Sequence, residues 1–141
     1  MKILFTLLLL SLSCISAAQS PIGKWKTVDD NTGKERSYVS IFEKDGKLFG
    51  KIVALFPEEG READPVCKEC TDHRKGQKIV GLQMLENLEK DGNEWSGGEI
   101  LDPENGKIYR CKIWLENNGK ELKVRGYIAF FYRTQTWYKV D

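Results

Sequence analysis

The run Tyr109-Arg110-Cys111-Lys112-Ile113-Trp114-Leu115-Glu116-Asn117-Asn118-Gly119-Lys120-Glu121-Leu122-Lys123-Val124-Arg125-Gly126-Tyr127-Ile128 decides the fold. In its first half Tyr109, Cys111, Ile113 and Leu115 alternate with Arg110, Lys112, Trp114 and Glu116. In its second half Leu122, Val124, Gly126 and Ile128, with Phe130 just beyond, alternate with Lys123 and Arg125. Side chains on a strand point to opposite faces with period two, so each half is a strand with one apolar and one wetter face. Asn117-Asn118-Gly119 between them supplies the positive φ angles of a tight hairpin.

The same turn chemistry recurs outward from this hairpin. Asn31-Thr32-Gly33, Lys44-Asp45-Gly46, Lys90-Asp91-Gly92 and Asp102-Pro103-Glu104-Asn105-Gly106 each interrupt runs rich in β-branched and aromatic residues. About eight strands follow, over 23–29, 36–44, 47–56, 79–86, 93–101, 106–116, 121–131 and 134–140. Gly50, Gly97, Gly98 and Gly126 fall inside them, where glycine marks a bend or a barrel corner. An all-β, single antiparallel, up-and-down barrel of about eight strands suits this count, because closure removes sheet edges. An open two-sheet sandwich is the alternative.

Two segments read differently. Ile79, Leu82, Leu85 and Leu88 recur every three residues, with Met84 beside them, so 79–90 fits a helix or a strand ending in a helical turn. Val80-Gly81-Leu82 favours the strand. Residues 57–78 are charged and carry Pro57, Pro65 and Gly76, and they read as one long loop. Loops of this length are usually functional or mobile.

At the N-terminus Lys2 precedes an apolar run, Ile3 to Leu12, too short for a bilayer core of roughly 30 Å. Ser16-Ala17-Ala18 follows with small residues, so 1–18 reads as a signal peptide cleaved before Gln19, and the protein as exported, periplasmic or extracellular. An uncleaved anchor lacks stop-transfer charges, and Ser11-Leu12-Ser13 before Cys14 matches a lipoprotein signal poorly. Removing 18 of the 141 residues leaves 123, enough for one domain, with 21 basic and 21 acidic residues once Lys2 is lost. This balance carries no footprint for nucleic acid and no polybasic block, and no later run is long enough to span a membrane as a helix.

Gly23-Lys24-Trp25 on the first strand and Arg133-Thr134-Gln135-Thr136-Trp137 on the last resemble the lipocalin pattern, in which the Trp closes one barrel end and the Arg packs over it. A cation over an indole contributes about 0.5–2 kcal/mol. Together with Gly81-Leu82-Gln83-Met84-Leu85, the run from Trp95-Ser96-Gly97-Gly98-Glu99 through Ile108-Tyr109, and Leu122-Lys123-Val124-Arg125-Gly126-Tyr127, these motifs resemble the bacterial secreted domain-of-unknown-function family 2147, DUF2147. The resemblance covers nearly all of residues 19–141. It implies a lipocalin-like barrel over 19–141, with Trp25 and Arg133 as its closure pair, and no established activity to carry over. Ala129-Phe130-Phe131-Tyr132 departs from the family where a glycine is expected.

Three cysteines remain after the leader. Cys67-Lys68-Glu69-Cys70 reads most simply as a local disulfide in an oxidising compartment. With His73 the same cysteines form a weak zinc set, and Cys111 or Asp72 would have to complete it. Thioredoxin-like work needs a helix and a βαβ context that nothing here supplies. Cys111 reads as a small buried apolar residue. His73 is the only histidine and has no nucleophile motif, so no catalytic residue and no cofactor is assigned.

The aromatics Trp25, Tyr38, Phe42, Phe49, Trp95, Tyr109, Trp114, Tyr127, Phe130 and Trp137 divide between core filling and a ligand pocket. The expected function is binding of a small, largely apolar molecule without catalysis. Tyr109, Cys111, Ile113, Val124 and Ile128 are the expected lining, and Gly126 would leave room among them. An interaction module acting through its surface and the 57–78 loop is the alternative, and a thiol-redox or zinc protein a third.

Overall fold

A computed structural model describes residue 13 and residues 19–141. The leader and Cys14 lie outside the described residues. Eight strands follow in chain order: β1 (Gly23–Val28), β2 (Glu35–Lys44), β3 (Lys47–Leu55), β4 (Gln83–Asp91), β5 (Glu94–Leu101), β6 (Ile108–Glu116), β7 (Glu121–Ile128) and β8 (Phe131–Lys139). Each pairs antiparallel with the next, and β8 returns to β1 through Trp25↔Lys139 and Lys26↔Tyr138, closing the barrel. No helix occurs among the described residues.

Because every connection is a hairpin, loops alternate between two ends. The turns at 45–46, 92–93 and 117–120 share one end, and the connections 29–34, 56–82, 102–107 and 129–130 share the other. The first end is shut. Trp25 is 1 % exposed, its indole N–H donates to the Pro21 carbonyl at 2.8 Å, and Leu48, Leu88 and Leu122 are buried with it. Gln19 lies against Gly119 at this end.

Three expectations are corrected. The fourth strand begins at Gln83, not at residue 79, and runs through the three-residue leucine spacing. Asn87 adopts a left-handed φ of 58°, and against β3 the register shifts between Gly50↔Leu85 and Leu48↔Leu88. This bulge adds one residue between Leu85 and Leu88, so both face inward on a strand although their spacing reads as helical. Gly98 sits opposite, where a Cβ would lie 2.3 Å from the Glu86 carbonyl oxygen.

The last hairpin turns at Ala129-Phe130, three residues earlier than the alternation suggests, so β7 ends at Ile128 and β8 starts at Phe131. The third correction concerns closure, because Arg133 does not cover Trp25. Trp25 pairs with Lys139, six residues further along β8, which at about 3.3 Å per residue places Arg133 some 20 Å away at the opposite end. There Arg133 donates to Asp30 at 2.8 Å.

Candidate functional site

The second end holds a cavity of about 510 Å³. Its walls come chiefly from inward-facing positions: Thr27 on β1, Ser37 on β2, Ile52 and Leu55 on β3, Ile100 on β5, Tyr109 on β6, Val124 and Gly126 on β7, Gln135 and Trp137 on β8, with Leu101 at the end of β5. Deep in the site the surface is aliphatic and aromatic. Inner polar groups are held in place: Thr27 and Ser37 hydroxyls share a hydrogen bond of 2.7 Å, and the Gln135 Oε1 accepts from the Trp137 indole at 3.3 Å.

The rim is charged but internally balanced. Arg36 pairs with Asp29 at 3.5 Å and with Glu104, Arg61 pairs with Glu58, and Arg133 pairs with Asp30. The Asn105 amide donates to the Tyr109 hydroxyl at 3.1 Å, fixing that ring at the rim. An amphipathic guest would meet an apolar interior and a polar collar here, the common anatomy of small-molecule sites.

The 56–82 connection forms the cover, and Pro65, Val66 and Ile79 from it line the cavity. It is an ordered structure. Val66 bridges Lys78, the Cys67 N–H donates to Gln77, and the Ile79 N–H donates to Pro65. Cys67 and Cys70 form a disulfide with a Cα separation of 5.5 Å, and both are 0 % exposed. Arg74 is 3 % exposed; it donates to both Asp72 oxygens and to the Gln83 carbonyl, and lies 3.6 Å from Glu86. Its guanidinium holds the Asp72 carboxyl well down, to about 2. The cover also abuts the 102–107 loop so closely that a Cβ on Gly106 would meet the Glu69 carbonyl oxygen.

The five residues expected to line the pocket all sit on the inner faces of β6 and β7, but at different depths. Tyr109 and Val124 line the cavity, and Ile128 stands at its rim, about half exposed. Cys111 and Ile113 do not line it; they are buried in the packed half below. Burial without a charged partner pushes the Cys111 thiol up to about 12. Of the aromatics, Tyr109 and Trp137 reach the cavity, whereas Phe42 and Phe49 stack on each other away from it.

The disulfide leaves no free thiolate on Cys67 or Cys70, and His73 is exposed, so the zinc set is not assembled in this state. Thr27, Ser37 and Gln135 were not singled out as site residues in the sequence, whereas the 57–78 loop that forms most of the cover was. The first three share strand parity with Trp25, Val39 and Trp137 and were legible by extending it.

Comparison with known proteins places this architecture. A family model described as "Uncharacterized protein conserved in bacteria (DUF2147)" matches residues 23–139. Among solved structures, protein HP1028 from Helicobacter pylori, described as belonging to the lipocalin family, is similar. It is 20 % identical, with a TM-score of 0.73 over 86 % of this chain and 84 % of that one, a likeness of fold. No curated protein matches the chain.

Proposed function

Since the chain belongs to the DUF2147 family of uncharacterised conserved bacterial proteins, we propose that it is an exported, non-catalytic carrier holding one small, largely apolar molecule. The observation that carries this reading is the cavity: about 510 Å³, aliphatic and aromatic in its depth, ringed by self-paired charges. That volume falls within the roughly 300–1,000 Å³ of small-molecule sites. Val124, Ile100 and Trp137 would contact the apolar body of the guest, and Tyr109 and Gln135 would orient its polar end. The disulfide and the leader over 1–18 support export.

Gly126 offers the test. It lines the cavity, and a Cβ built there meets nothing nearer than Tyr109 Cβ at 3.6 Å. Gly126→Val should therefore fold normally while filling guest space. A fluorescent fatty acid should bind the wild-type protein with enhanced emission, and the variant should bind it at least about tenfold more weakly, a loss of about 1.4 kcal/mol. Equal binding by both proteins, or none by the wild type with a range of apolar probes, would remove the cavity as the site. The alternative, an interaction module acting through the 57–78 loop, would then lead.

A further inference from the structure

The hairpin joining β7 to β8 presents apolar side chains to solvent, of which only Ile128 also lines the cavity. Phe130 is 99 % exposed, Phe131 77 %, Tyr132 61 % and Ile128 53 %. Ile108, on the neighbouring strand, is also exposed. Eight large hydrophobic residues are exposed among the described residues, and five of them are gathered here. Single exposed apolar residues need no explanation, but a cluster of this kind marks an interaction site. The tip is a two-residue turn whose first residue, Ala129, holds a positive φ of 49°. A non-glycine residue there costs roughly 1–2 kcal/mol, so the rings are displayed at a cost to the fold.

Basic side chains flank the tip on the outside of the sheet. Behind it, on the outer faces of β6 and β7, lie Arg110 and Arg125, and Lys107 precedes β6. None of the three makes an ion pair among the described residues, although Glu99 stands in register beside Arg110. Arg125 stacks over the Tyr132 ring at 4.1 Å and the Trp114 ring at 4.9 Å. The rim cations Arg36, Arg61 and Arg133 are each paired with a carboxylate. An apolar tip backed by the Tyr132 ring and unpaired arginines is the arrangement favoured at a membrane–water interface, where rings sit at headgroup depth and cations reach anionic lipid.

We propose that the 128–132 hairpin tip inserts into the surface of an anionic lipid bilayer, with Arg110 and Arg125 on its headgroups. The tip rises from the same end as the cavity, so docking turns the cavity mouth toward the membrane. The proposal does not depend on what the cavity holds.

Protein purified from its own host would be sedimented with vesicles of phosphatidylethanolamine and phosphatidylglycerol, beside Phe130→Ser/Phe131→Ser and Arg110→Gln. Both substitutions alter exposed side chains, and thermal melting checks that the fold is kept. Wild type should co-sediment, less so as salt rises. The double variant should bind about tenfold more weakly or worse, since both rings lose their apolar contact with the bilayer. Arg110→Gln should lose affinity on these vesicles and not on neutral phosphatidylcholine. Absence of co-sedimentation, or equal binding by the double variant, would overturn the proposal. So would a dimer in sedimentation velocity that the double substitution dissolves, which would assign the tip to a second copy.

Discussion

Cys111 and Trp25 show how much single side chains carry in a barrel this small. The Cys111 thiol faces inward between Gly98 and Gly126, and burial keeps it neutral up to about 12. In the unfolded chain it titrates from the ordinary value of 9.0. The folded state thus retains a proton that the unfolded state gives up. Its stability contribution is whole below pH 9 and declines as pH rises toward 12. Chemical denaturation at alkaline pH should show this decline, and Cys111→Ala should remove that part of the slope. Trp25 fills the shut end, and its N–H is satisfied by Pro21. Trp25→Ala should cost about 3–5 kcal/mol in urea unfolding. A loss below about 1 kcal/mol would mean that other side chains close that end.

At the scale of elements, the cover is fastened by charge as well as by its disulfide. Asp72 is held near 2 by hydrogen bonds from the Arg74 side chain and backbone N–H. A carboxylate depressed in the folded state stabilises fully above its ordinary value of 3.8, and that contribution is lost as pH falls through about 2. The buried Cys67–Cys70 bond reports on the cover, since a reductant reaches it only when the cover lifts. With a phosphine reductant active in acid, reduction of the wild type should accelerate as pH falls from about 4 toward 2. Asp72→Asn should reduce fast and evenly across that range. The pattern of strands was readable because Asn-Gly and Asp-Gly turns act locally, and alternation fixes which face of a strand is inside. β4 misled because its bulge resets the phase at Asn87, and a bulge depends on the partner strand, here on β3 between Leu48 and Gly50. The depth of Cys111 and Ile113 was hidden for a related reason. Parity gives the face, but only the end that Trp25 closes decides which inward residues meet open space. Arg133 was misplaced because strand register, not a shared motif, sets which residues on β1 and β8 adjoin.

For the whole molecule, the cavity, its cover and the aromatic tip all occupy one end of the barrel, and the first described residues of the continuous chain, from Gln19, lie at the other. The Gln19 side chain contacts Gly119, and Pro21 is buried beneath Trp25. Cleavage before Gln19 would therefore place the new terminus at the shut end, away from the mouth, and leave Pro21 and Trp25 to close it. Removing 18 of the 141 residues gives a product of 123. Native mass spectrometry of protein recovered from its own host should find this chain starting at Gln19. Its mass should be two hydrogens below the reduced value, for the Cys67–Cys70 bond, with Cys111 unmodified until the protein is unfolded. Under gentle ionisation part of the population should carry one extra mass of an apolar metabolite, which activation strips off. A lipidated Cys14 at residue one would replace the cleaved leader by an anchor. A bare chain with no retained mass in any preparation would count against the carrier reading and leave the tip as the surface to pursue.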